Sequence, residues 1–161
     1  MTRMRNPRGG LNIKLGWYRF GDLSAAELYE VLAFRQAIFV VEQRCAYPDL
    51  DGLDQRAQHL LSRSDDALAG YLRLIPYPDE KRIAIGRVAV GAAFRGQGLA
   101  RRLMAEALAR CARDYRDWAV TLSAQTYLQS FYESLGFGAT SAPYDDWGVA
   151  HVEMAFGAPP Q

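Results

Sequence analysis

RIAIGRVAVGAAFRGQGLARRLMAEALARCAR, Arg82 to Arg113, is the stretch whose reading decides the fold. Ile83 to Val90 is a short apolar run rich in β-branched residues, interrupted by Gly86 and Arg87 and closed by Gly91, which reads as a buried strand. A glycine inside such a run marks a bulge or a close approach to the backbone. From Leu99 the period changes. Leu99, Leu103, Ala107 and Cys111 repeat every four residues with Met104 and Leu108 beside them, while Arg101, Arg102, Glu106, Arg110 and Arg113 take the other side, the pattern of an amphipathic helix. Between strand and helix, RGQGLA (Arg95 to Ala100) lets the backbone turn sharply. Its N–H groups are bared at the positive end of the helix dipole, a place where a phosphate fits.

The spacing narrows the phosphate. A P-loop needs a Lys after its last glycine, and none follows Gly98; a GxGxxG dinucleotide fingerprint needs a glycine where Arg101 stands. The stretch instead resembles motif A of the GNAT superfamily of N-acetyltransferases, whose Q/R-x-x-G-x-G/A pattern is met by Arg95, Gly98 and Ala100 after the strand GRVAV. The resemblance implies that the turn, Arg95, Gly96, Gln97, Gly98, Leu99, Ala100 and Arg101, holds the pyrophosphate of acetyl-coenzyme A. It also implies that Val88, Ala89 and Val90 offer backbone hydrogen bonds to the pantetheine arm.

Outward from this centre, Trp17 to Phe20 is a strand candidate, and Ser24 with Glu27 forms a capping box leading into a helix with Leu28, Val31, Leu32 and Phe39 largely on one face. FVVEQRCAYPDLDGLD follows, and here the chain resembles the ElaA branch of the superfamily over about Leu23 to Phe156. Gln58 to Ser62 and Ala67 to Ile75 read as an antiparallel hairpin, and the turn at Pro76 to Asp79 delivers the chain to the central strand. After the central helix, Trp118 to Ala124 is a strand that runs parallel to the central one, because a strand, helix, strand connection crosses over. In TYLQSFYESLGF, Leu128, Phe131, Tyr132 and Leu135 share a helical face and Gly136 ends the helix. FYESLGF resembles the superfamily's motif B. Ala150 to Phe156 alternates as the last strand, with His151 and Glu153 on one face.

The expected architecture is α+β, the GNAT fold: a mixed, mostly antiparallel sheet with flanking helices and a central strand pair that splays apart. At 161 residues, 50% hydrophobic and 23% charged, the chain suits one domain, placed at 11–157 after a disordered basic tail over 1–10. A formal net charge of +1 gives no reason to invoke nucleic acid. The chain has no apolar run long enough for a membrane span and its opening residues lack a secretory signal, so the expected location is the cytoplasm. No Cys or His spacing assembles a metal site, and the loop Asp49 to Asp54 lacks the spacing of a calcium loop. Whether the chain forms a homodimer is left open by the sequence.

The activity implied by the resemblance is acetyl transfer from acetyl-coenzyme A to a primary amine, on a small molecule or a peptide, by direct attack in a ternary complex. Two other readings stand beside it: a non-catalytic acyl-coenzyme A binding or regulatory module, and a dinucleotide enzyme. The chemistry asks for a neutral amine, a stabilised oxyanion and a proton for the thiolate. The resemblance points to Tyr132 as the acid, and backbone N–H groups near Val88 and Val90 are the oxyanion donors. Glu42 and His59 are the candidate bases, with the His151 and Glu153 pair as a further choice and Cys45 as an outside candidate for a covalent nucleophile. Glu42, Asp49, Asp51 and Asp54 are candidates for a negative field that steers a cationic amine, against the alternative of a solvated acidic loop.

Overall fold

The computed structural model describes residues 12–159, so the tail expected over 1–10 lies outside the described residues. In chain order the elements are β1 (Ile13–Arg19), α1 (Ala25–Gln36), β2 (Gln58–Ser64), β3 (Ala67–Tyr77), β4 (Arg82–Val90), α2 (Leu99–Asp114), β5 (Ala119–Gln125), α3 (Gln129–Glu133), β6 (Phe137–Ala139), β7 (Tyr144–Asp146) and β8 (Val149–Phe156). Among the described residues the strands form one sheet in the order β1-β2-β3-β4-β5-β8-β6, with β7 pairing β8. β4 and β5 run parallel, and the other pairs are antiparallel. This is the expected α+β architecture.

Alternation along the strands sorts the core into two layers. Leu60, Leu72, Leu74, Ile83 and Ile85 join the buried face of α2, which presents Leu99, Leu103, Met104, Ala107 and Cys111. Leu61, Leu68 and Tyr71 turn the other way and pack with Leu23 and Val31 against α1. The capping box forms as the sequence requires: Glu27 N–H donates to Ser24 Oγ at 3.2 Å, and Ser24 N–H donates to Glu27 Oε2 at 2.8 Å.

Several boundaries differ from expectation. α1 runs on into a π-helical segment, Ala37–Glu42, in which Gln43 N–H reaches back five residues to Ile38 O. This wider winding takes Phe39 off the α1 face and into the wall of the cleft described below. The last helix is shorter than its apolar pattern, and Leu128 and Leu135 lie outside it. β6 and β7, three residues each, are too short for a period-2 pattern to announce them.

The largest departure concerns charge. Asp49 and Asp54 are 3% and 6% exposed, and Arg35 and Arg73 are 0% and 1% exposed, so the expected solvated acidic loop is a largely buried ion network. Arg35 donates to Asp49 and Asp54, Arg73 to Asp51 and Asp54, and Arg87 to Asp49 and Asp51. Three guanidinium groups cancel three carboxylates, and little field is left to steer a substrate.

Removing one partner from such a network strands a buried opposite charge, which costs about 3–5 kcal/mol. Arg35→Leu should therefore lower unfolding stability in urea by that amount, with Asp49 and Asp54 losing their shared donor. Acid should act on the same cluster. Burial pushes the Asp51 carboxyl up, but the hydrogen bond and charge of Arg73, helped by Leu53 N–H and Arg87, outweigh it and hold the group down at about 2, against an ordinary 3.8. Its stabilisation is complete above pH 3.8 and is lost as pH falls towards 2. Asp51→Asn should flatten the acid limb of the stability profile in that window, as measured by denaturant titration at each pH.

Candidate active site

The site begins where β4 and β5 part. Their pairing runs from Arg82 opposite Ala119 to Ile85 opposite Leu122 and stops there. β4 then continues alongside β3 and β5 alongside β8. Past Ile85 the β5-facing edge of β4 therefore has no strand partner among the described residues. Gly91 N–H donates to Ala69 O at 2.8 Å, towards β3. Backbone groups of successive strand residues face opposite ways, so the N–H groups of Val90 and Val88 face the free edge. The parting coincides with a bulge, marked by a register shift between Tyr71 and Arg73 on β3. The left-handed residue is Arg87 (φ 54°) rather than the neighbouring Gly86.

A cleft of about 150 Å³ fills the gap. Gly86, Arg87 and Val88 of β4, Ser123 and Gln125 of β5, Tyr132 of α3 and His151 of β8 contribute to its wall. The segment after α1 adds Phe39, Gln43, Cys45 and Tyr47, and the turn between β7 and β8 adds Asp146 and Trp147. Gln125 and Gln43 hydrogen-bond across it at 3.0 Å. Tyr132 is 7% exposed, and its hydroxyl makes no hydrogen bond among the described residues. Burial, and to a lesser degree Tyr127, pushes its phenol up to about 12, so it remains protonated.

At the other end of β4, Gly96 and Gly98 have φ of 72° and 77°, a conformation open to glycine at little cost. Gly98 stands just before α2 with no side chain capping the helix, and nothing lies within 4 Å of where a Cβ would stand at either glycine. The first-turn N–H groups of α2 are thus accessible to an anion. Arg95 flanks this turn. Its Nε donates to Val90 O at 2.9 Å and its two Nη atoms donate to Glu42 at 2.6 and 3.0 Å. Arg101 donates to Ser134 Oγ and lies over the Phe131 ring, joining α2 to α3. Gln97 is exposed, Leu99 is buried under the turn and Ala100 is partly covered.

The structure brings Tyr132, Val88 and the β4 edge to one cleft, but it takes both candidate bases away from it. His59 is 1% exposed and does not line the cleft. A carbonyl only accepts, so its Nε2 donates to Asp54 O at 3.0 Å and its Nδ1 accepts from the Tyr71 hydroxyl at 2.6 Å. With both nitrogens engaged, and with burial holding it below its ordinary pKa, His59 is a structural side chain under the ion network. Glu42 does not line the cleft either. The hydrogen bonds from Arg95 hold its carboxyl below the usual range, and the pair stands beside the glycine turn. The residues that sequence reading missed, Tyr47, Arg87, Asp146 and Trp147, carry no motif; the bulge and the β7–β8 turn bring them in.

Three comparisons bear on this arrangement. The family model for the acetyltransferase (GNAT) domain matches residues 25–157. A UPF0039 protein of Synechocystis is 40% identical over 152 residues, 93% of this chain and 99% of that protein, and the ElaA protein of Escherichia coli is 39% identical over 137 residues, 83% and 90%. The crystal structure of E. coli ElaA superposes with a TM-score of 0.85 at 37% identity, covering 89% of this chain and 99% of that one. That of an acyl-CoA N-acyltransferase from Pseudomonas aeruginosa gives 0.85 at 38%, covering 90% and 99%.

The glycine turn yields a direct test. Gly98→Ala places a methyl group in the open space where an anion would sit and forces a left-handed conformation that costs about 1–2 kcal/mol. It should fold with a slightly lowered Tm and lose most of the Tm increase that acetyl-coenzyme A produces. An unchanged ligand-induced shift would remove the turn from the binding site.

Proposed function

Because the chain belongs to the GNAT acetyltransferase family, we propose that it transfers an acetyl group from acetyl-coenzyme A to a primary amine by direct attack, both substrates being bound together. The observation that carries this reading is the cleft between β4 and β5, where an unpaired backbone edge and a protonated tyrosine share one wall. The oxyanion and the departing thiolate each have a group on this chain to meet their demand.

Bound acetyl-coenzyme A supplies a thioester, an acyl carbon reactive towards amines with a thiolate as leaving group. The turn from Arg95 to Arg101 would hold the pyrophosphate through its N–H groups and Arg95, and the edge from Val88 to Val90 would hold the pantetheine by strand-like hydrogen bonds. The N–H groups of Val88 and Val90 face the free edge, where they can take the negative charge that grows on the carbonyl oxygen. Tyr132 donates a proton to the departing sulfur. Its buried phenol, at about 12, keeps that proton throughout the neutral and mildly alkaline range.

Tyr132→Phe tests the assignment while keeping the ring that packs edge-on against Phe131 and Phe137. Stability and coenzyme affinity should persist, and kcat should fall by about 10²–10⁴-fold, which is about 3–5 kcal/mol of barrier. The wild-type kcat should show no alkaline decline from this group until pH approaches 12. A Phe variant that turns over at the wild-type rate, with chemistry shown to limit kcat, would remove Tyr132 from the mechanism.

A further inference from the structure

An alkylamine with a pKa near 10.4 is almost wholly protonated at neutral pH, so attack requires that a proton first leave the nitrogen. Glu42 and His59 are both engaged elsewhere. Glu153, the residue paired with His151 in the sequence reading, is engaged as well: its carboxylate accepts from the Tyr144 hydroxyl, which is also linked to Ser123 Oγ. Cys45 directs its thiol to Trp147 O at 3.6 Å. Two groups of the cleft wall remain, His151 and the exposed Asp146.

We propose that His151 is the general base of the acceptor side; this rests on the acyltransferase reading above. The geometry sets its tautomer. Nδ1 lies 2.8 Å from Val149 O, and because a carbonyl only accepts, Nδ1 carries the hydrogen. The lone pair is therefore on Nε2, which has no hydrogen-bond partner among the described residues. The ring is partly buried and stacked on Tyr144 at 6.1 Å and 29°. Backbone pairing to Gln125 on β5 and to Tyr144 on β7 fixes its strand position. The result is an imidazole held in one orientation, in the tautomer a base requires, in the wall that also contains Tyr132. Asp146 has the charge for the task, but it sits exposed beside the β7–β8 turn, and its side chain has no hydrogen-bond or ion-pair partner among the described residues to orient it.

The ammonium group loses two protons. The first passes to His151 Nε2 and from there to solvent. The nitrogen lone pair then forms the C–N bond as the C–S bond breaks and its electron pair leaves on sulfur. Tyr132 protonates that sulfur, and the second nitrogen proton restores the phenol.

His151→Asn is the discriminating variant, since the Asn amide can still donate to Val149 O but offers no basic nitrogen. With an alkylamine acceptor found from a panel of primary amines, kcat/KM should fall by about 10²–10⁴-fold. With hydroxylamine, which is already neutral at pH 7, it should stay near the wild-type value. The Tm shift with acetyl-coenzyme A should be unchanged, and Asp146→Asn should show no such acceptor-dependent loss. Equal losses with both acceptors, no loss with either, or the selective loss in Asp146→Asn instead would overturn the assignment and leave the acyltransferase reading standing. A wild type inert towards every amine would overturn that reading and this one together. ¹⁵N-histidine NMR gives a check independent of turnover: the neutral ring should carry its hydrogen on Nδ1, and a hydrogen on Nε2 would overturn the proposal.

Discussion

Six charged side chains hold the site in shape. Arg35 from α1, Asp49, Asp51 and Asp54 from the connection to β2, Arg73 from β3 and Arg87 from the β4 bulge form a continuous set of ion pairs, most of them shielded from water. Placing these charges out of water is costly, and only the full set of partners offsets that cost. The network therefore acts as a constraint: the four segments take this arrangement together or leave charges stranded. Arg87 shows what the constraint achieves. Its left-handed backbone is unfavourable for a residue with a side chain, yet two contacts to Asp49 and one to Asp51 hold it there.

The held bulge is what opens the cleft. With β4 displaced at Arg87, its outer edge diverges from β5 after Ile85, and each strand keeps its other neighbour. The sheet thus stays continuous through the pairs from Arg82 to Ile85 while a gap forms above them. The connection from α1, anchored by Asp49, brings Tyr47 into the same wall: the Tyr47 hydroxyl donates to Asp49 Oδ1 at 3.0 Å, and Arg87 lies over its ring. The ion network beneath and the aromatic residues above are thus parts of one support. Because the network is internally neutral, the chemical character of the gap is set by the other groups that line it, among them Trp147 and His151.

Much of this arrangement is local enough to be read from the chain. The run from Ile83 to Val90, the four-residue repeat from Leu99 to Cys111 and the Ser24–Glu27 box are patterns of neighbouring residues, and each formed within a residue or two of its expected place. The glycine turn from Arg95 to Ala100 is of the same kind, since φ is a property of single residues, and Gly96 and Gly98 take the positive values that only glycine adopts freely. Gly86 also announced a bulge, although the strained conformation fell on Arg87.

What the linear chain did not contain was which distant residues meet. Asp49, Asp51 and Asp54 look like a solvated acidic loop until Arg35, Arg73 and Arg87 are brought to within hydrogen-bonding distance, and their partners lie 14 to 38 residues away. His59 has the chemistry of a base in isolation; only the fold shows both its nitrogens engaged by Asp54 and Tyr71. His151 looks no different in sequence, and only the pairing of β8 with β5 and β7 sets it in the cleft wall, its Nε2 without a partner among the described residues. Backbone periodicity and turn geometry depend on near neighbours, so the sequence by itself determined the elements and the glycine turn; ion pairing and side-chain access depend on through-space distance, so only the tertiary structure decided which charges are cancelled and which imidazole remains free.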